Sequence, residues 1–237
     1  MRRFRSLTIV LFAAIGLGAC AAPEIPFDRS TAPDVKTIGM ITPIFPKQPT
    51  VWLASSVGQS FGLIGALVDA GLQGEREKKF QTVLVGHNYV AQDAFTDGLV
   101  ASLQAQGYVV VQVPLARDKN DFAKKYPPAD ETKVDAYLDT VTLAYGYIAA
   151  GISSSNPYRP SVVTKVKLVR ARDSSVLMQD LVFYNPVNNP KKIVTIAPDP
   201  AYQFPDFDSL MANQDQAVEG LRVAIKQTTQ TISALMK

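Results

Sequence analysis

The sequence predicts a two-layer α+β domain: a four- or five-stranded mixed sheet with helices packed on one face. Three observations lead there. Residues 134–150 alternate, with Tyr137, Val141, Leu143, Tyr145 and Tyr147 expected on one face of a strand. Residues 162–172 and 176–184 flank Asp173-Ser174-Ser175, a turn signal that joins two strands into a hairpin. Residues 90–106 and 213–236 instead carry apolar side chains at helical spacing, so the two patterns must cover one another.

The elements follow in order. Residues 35–45 (VKTIGMITPIF) read as a strand, and 51–57 as a short one bounded by Pro49. Residues 58–72 are apolar and glycine-spaced, and a charged stretch, 75–79, follows. Ala91, Phe95, Leu99 and Leu103 define the helix over 90–106, with Gly107 as its C-terminal stop. Residues 108–114 (YVVVQVP) are apolar on both faces, which predicts a central strand. The last helix places Val218, Leu221, Ile225, Ile232 and Leu235 on one stripe. Its 4-3 spacing would fit a coiled-coil seam, but Thr228 interrupts it, which favours packing onto the sheet. Residues 185–207 form a long irregular piece with five prolines and three aromatic rings, Tyr202, Phe204 and Phe207.

Charge is concentrated at the start. The chain has 24 Lys+Arg and 21 Asp+Glu, and Arg2, Arg3 and Arg5 stand before any acid. Without residues 1–19 the balance is 24 − 3 = 21 against 21, so no basic excess remains to release counterions from a nucleic acid. After the basic residues comes an apolar run, 7–17, of about 16 Å as a helix, too short for a hydrocarbon core of roughly 30 Å. It has the form of a secretory signal, and it ends at Leu17-Gly18-Ala19-Cys20. This segment resembles the lipobox of bacterial lipoproteins, whose signal is cut before a cysteine diacylated on sulfur and whose new amine is usually acylated too. The resemblance implies cleavage of residues 1–19, lipidation of Cys20 and stable anchoring by two or three acyl chains. Ala21 after the cysteine, by similarity to enterobacterial sorting rules, implies the outer membrane. An ordinary signal with a chance cysteine is the other reading. Cys20 is the only cysteine, so neither an internal disulfide nor a multi-cysteine zinc site is expected. Residues 20–34, with three prolines, are expected to be a flexible tether, and 35–237 a single α+β domain. The element order of 35–236 is similar to the αβ domains of envelope lipoproteins such as the curli-export channel protein and the activators of penicillin-binding proteins.

Catalytic patterns are few. Gly58-Gln59-Ser60-Phe61-Gly62 matches the G-x-S-x-G nucleophile elbow. Only about 40 mature residues precede Ser60, though, and the sole histidine, His87, comes with one aspartate, Asp69, between them. The pattern is therefore expected to be incidental. Gly58, Gly62 and Gly65 would instead line neighbouring turns of a helix and allow close approach of another backbone, either a partner's or the protein's own sheet. Tyr202, Phe204 and Phe207 are a second candidate contact, against the alternative that they bury themselves over a sheet edge. His87 lacks a second His or Cys to complete a metal set. Asp135 and Asp139 share a strand face with Tyr137 and are expected to be solvated, as are Lys165 and Lys167. No phosphate loop, dinucleotide fingerprint or calcium loop is present, so no cofactor is expected. The expectation is a non-enzymatic, lipid-anchored envelope protein that binds another envelope protein or itself. A periplasmic serine hydrolase using Ser60 and a small-ligand carrier are the alternatives.

Overall fold

The molecule is built around one long antiparallel pair, β4 (Ala136–Ala149) and β5 (Arg159–Arg170), in a computed structural model describing residues 24–53, 70–117, 120–151, 156–186 and 193–237. β6 (Val176–Tyr184) extends the pair through the Asp173 turn, whose carboxylate accepts from the Ser175 amide at 2.9 Å and leaves Ser174 at φ +60°. β1 (Thr37–Ile41) lies parallel to β4 on its other side, and β3 (Val109–Val113) lies parallel to β1. β7 (Val194–Ile196) runs parallel to β6. β2 (Thr50–Leu53) pairs with the second half of β4. The sheet is thus mixed and has seven strands among the described residues, larger than the four or five expected.

β1 and β2 are one interrupted path along β4. The pairs Ile38 with Ala136, Ile44 with Val141 and Thr50 with Gly146 have sequence offsets of 98, 97 and 96. The path slips by one residue twice because Pro43, Pro46 and Pro49 cannot donate to a ladder. β4 itself carries a bulge between Thr142 and Ala144. An extra residue reverses the parity of everything after it. Tyr137 and Val141 therefore face away from the helices, whereas Tyr145 and Tyr147 face them and Leu143 is exposed. The expectation that all five share one face is corrected here.

Three helices, α1 (Ala70–Gly86), α2 (Ala91–Gln104) and α5 (Gln214–Ala234), supply the second layer. The stripe of α2 is as expected: Ala91, Phe95, Leu99 and Leu103 are buried, and Gly107 follows at φ +89°. α5 packs on the sheet and on α2, the alternative favoured over a coiled coil. Its Thr228 is fully buried because its hydroxyl donates to the Ala224 carbonyl at 2.8 Å. A shorter helix, α3 (Ala129–Thr132), lies in the 114–133 segment, and α4 (Phe207–Ala212) leads into α5. The main core joins Ile38, Met40, Leu138, Tyr147, Val166 and Leu168 of the sheet to Phe80, Phe95, Leu99, Leu221 and Ile225. A smaller cluster of Ile41, Val113, Val134 and Tyr137 fills the opposite face beneath Leu115 and Tyr126.

Two further expectations change. Among the described residues β3 is an edge strand, paired only with β1, and its Val109 and Val111 are 59% and 38% exposed. Its run of valines mimics a central strand because β-branched residues suit either position. Residues 24–34, expected to be part of a flexible tether, are docked. Ile25 exchanges both backbone bonds with Gln179, at 2.8 and 2.9 Å, and Ala32 is fully buried in the core.

Candidate functional site

The residues singled out from sequence fall into two groups, those outside the described residues and those that can be placed. Cys20, Gly58, Ser60, Gly62, Gly65 and Asp69 lie outside the described residues. The strand expected at 51–57 is seen as β2 over Thr50–Leu53, and its remainder also lies outside them. The others can be placed.

The described residues of 185–207, which are 185–186 and 193–207, hold more regular structure than expected. They contribute β7 and a 3₁₀ turn, Pro200–Tyr202, which Asp199 caps by accepting from the Ala201 amide at 2.9 Å. Phe204 is 2% exposed, bridges to Tyr158 through both backbone bonds and meets Tyr147 edge-on with centroids 5.6 Å apart. Such a ring is core, so the alternative of burial over the sheet holds for Phe204, and its assignment as a partner contact is corrected. Phe207 is half-buried against Tyr158 at 6.4 Å. Tyr202 is half-buried beside Gly220, where a Cβ would come within 2.7 Å of Tyr202 Cβ and 2.5 Å of the Tyr147 hydroxyl.

Asp135 and Asp139 are both engaged by donors of the protein. Asp135 accepts from the amides of Lys36 and Thr37, at 2.9 and 2.7 Å, and so ties β4 to the start of β1. Asp139 is completely buried, contrary to the solvated reading. It pairs with Arg117, itself 6% exposed, and accepts from the Ala123 amide at 2.8 Å and the Tyr126 hydroxyl at 3.0 Å. Arg117 also donates to the Thr42 carbonyl. Burial, followed by the charge of Asp139, pushes the Tyr126 phenol well above its usual range. Tyr126 stacks on Tyr137 with centroids 5.3 Å apart and planes 9° from parallel. The carboxylate oxygens are occupied by donors from the 114–133 segment, so Asp139 fastens that segment to the sheet.

Lys165 and Lys167 are likewise engaged. Both ammonium groups lie over the Phe122 ring, 4.8 and 4.2 Å from its centroid, and Lys165 pairs with Asp121 at 2.5 Å. Burial lowers the Lys167 ammonium pKa. The hydrogen bond from Lys165 holds the Asp121 carboxyl below the usual range. This arrangement corrects the solvent-facing reading. Arg117 and Phe122 were not legible in the sequence, because the strand residues they engage, Asp139, Lys165 and Lys167, are 22 or more residues distant. An aspartate amid β-branched and aromatic strand residues was the available signal.

His87 follows the end of α1 and lies on the wall of an open groove of about 370 Å³ with Lys79, Thr82, Val83 and Met211. Its Nδ1 is 3.5 Å from Asp215 Oδ1, and Asp215 is 98% exposed. Among the described residues no cluster of three His, Cys, Asp or Glu is placed to hold a metal. Among them, too, no helix is long and apolar enough to cross a membrane. Among the described residues the β3 edge presents exposed apolar side chains, Val109 and Val111. Its five residues carry no charge and no proline, the devices that usually blunt an edge.

No family model matches the chain, and no curated protein does. Among solved structures the chain is similar to the crystal structure of protein XCC0632 from Xanthomonas campestris, of the family model DUF330. The identity is 10% and the TM-score 0.41, with 90% of this chain and 85% of that chain covered. The chain's own geometry defines its class, an α+β protein with a single mixed sheet and its main helices on one face.

Proposed function

We propose that the protein is a lipid-anchored lipoprotein of the bacterial cell envelope, with a non-catalytic αβ domain that binds another envelope protein or a second copy of itself. One observation carries the reading: the only cysteine of the chain follows Gly18-Ala19 at the end of a basic-then-apolar leader. Acylation of Cys20 anchors the chain at the outer membrane with the domain in the periplasm. The β3 edge, unpaired among the described residues, supports the interaction role, since such an edge offers backbone groups to an incoming strand. The apolar stretch 58–72, with Gly58, Gly62 and Gly65, is the other candidate contact.

The test is a crosslinked pull-down of the full lipidated protein from detergent-solubilised envelope, with sizing and mass spectrometry. A stoichiometric envelope partner or a discrete homo-oligomer is the expected result. An uncomplexed monomer that hydrolyses esters, and stops when Ser60→Ala is made, would replace this reading with the hydrolase. Saturable binding of an envelope metabolite by an uncomplexed monomer would replace it with the carrier.

A further inference from the structure

The lipid anchor, if placed at Cys20, is joined to the domain by almost no free chain. Ile25 is already paired with Gln179 on the outer edge of β6. After it, Arg29 donates to the Tyr108 hydroxyl, which itself donates to the Met236 carbonyl at 2.6 Å. Arg170 donates to the Thr31 carbonyl at 2.9 Å and to both oxygens of Asp34, at 2.9 and 3.0 Å. Ala32 and Val35 are fully buried. The segment 25–35 is therefore a strap, closing the sheet end where β1, β3 and β4 begin and β5 ends.

Five Cα–Cα steps separate Cys20 from Ile25. A chain extends at most about 3.6 Å per residue, so whatever its path Cys20 stays within about 18 Å of Ile25. Residues 35–237 number 203, and a domain of that size has a radius of gyration of about 17 Å and a breadth of roughly 40 Å. A leash of that length cannot pass round the body. β3 lies four strand spacings from β6, about 19 Å across the sheet on the side opposite the strap's origin.

We infer that the protein sits with the β6 edge of its sheet, including Ile25 and the neighbouring β7, toward the lipid bilayer, and with the β3 edge turned away. This rests on the proposed acylation of Cys20. Its consequence is that Val109 and Val111 are presented to the aqueous space and not to lipid.

Cys20 is the only cysteine, and in the proposed state its sulfur is acylated, so a single introduced cysteine can be labelled selectively. Thr195→Cys on β7 and Val109→Cys on β3 both change exposed positions. Each full-length lipidated variant is labelled with a fluorophore and reconstituted into phosphatidylethanolamine–phosphatidylglycerol vesicles containing headgroup-nitroxide lipid. Quenching at Thr195→Cys is expected to exceed that at Val109→Cys at least threefold. Equal quenching, or the reverse order, in vesicle-bound protein overturns the orientation while leaving the anchor intact. A chain whose intact mass carries no acyl groups overturns the anchor and the orientation with it. Inserting ten Gly/Ser residues after Pro23 is expected to bring the two values together without releasing the protein. Persistence of the contrast in that variant would show that the short leash does not set the orientation.

Discussion

Asp139 has no exposed surface, and its ion pair with Arg117 is almost dry. Removing one partner of such a pair strands the other charge, at a cost of about 3–5 kcal/mol. Asp139→Ala is therefore expected to lower stability by that amount in urea unfolding, and the double change Asp139→Leu with Arg117→Met to recover most of it. A loss below about 1 kcal/mol for Asp139→Ala would show that the pair does not fasten the 114–133 segment. Gly220→Ala is the second residue-scale case. Its Cβ would press on Tyr202 and on the Tyr147 hydroxyl, which donates to the Ala217 carbonyl at 2.8 Å, so a loss of about 1–3 kcal/mol is expected. An unchanged unfolding midpoint would contradict that packing. Neither constraint is legible in sequence. Gly220 reads as a weak helix residue and Asp139 as a polar strand residue, because their partners are set by the fold and not by nearby residues.

At the scale of elements, legibility follows periodicity. The α2 stripe and the β5–β6 hairpin are readable because spacing and turn chemistry are local. The edge position of β3 is not, since it depends on which strand lies beside β1. The faces of β4 are misread after Thr142 because one bulged residue inverts the alternation. The docking of β2 depends on Gly146, at φ +141°, where a side chain would overlap the Thr50 carbonyl oxygen. Gly146→Ala is expected to unpair β2, seen as faster amide exchange at Val51 and Leu53; retained protection there would contradict it. The strap has its own pH signature. The hydrogen bond from Arg170 holds Asp34 below the usual carboxylate range, so its contribution is complete above the ordinary aspartate value of about 3.9 and fades as pH falls below that. Exchange protection at Ile25 and Gln179 is expected to stay constant from pH 7 to about 4.5 and to fall at lower pH. Loss beginning near neutrality would assign the strap's fastening to another group.

The whole molecule combines a domain of legible class with a stretch of twenty N-terminal residues that carries the proposed lipoprotein signal. Alternation and helical stripes are enough to predict α+β layers. The strand not expected from sequence is β7, which at 3 residues is too short to alternate visibly. The prolines of 20–34 suggested a tether, yet Ile25 and Ala32 have partners at Gln179 and in the core that no local pattern announces. The proposed function turns on Cys20. The most direct measurement is the intact mass of the mature protein purified from envelope membranes. The account predicts a chain beginning at Cys20, heavier than its residues by a diacylglycerol and an amine-linked acyl chain, and a Cys20→Ser variant that leaves the membrane fraction. A mature chain beginning elsewhere, or one with an unmodified thiol at Cys20, would contradict it.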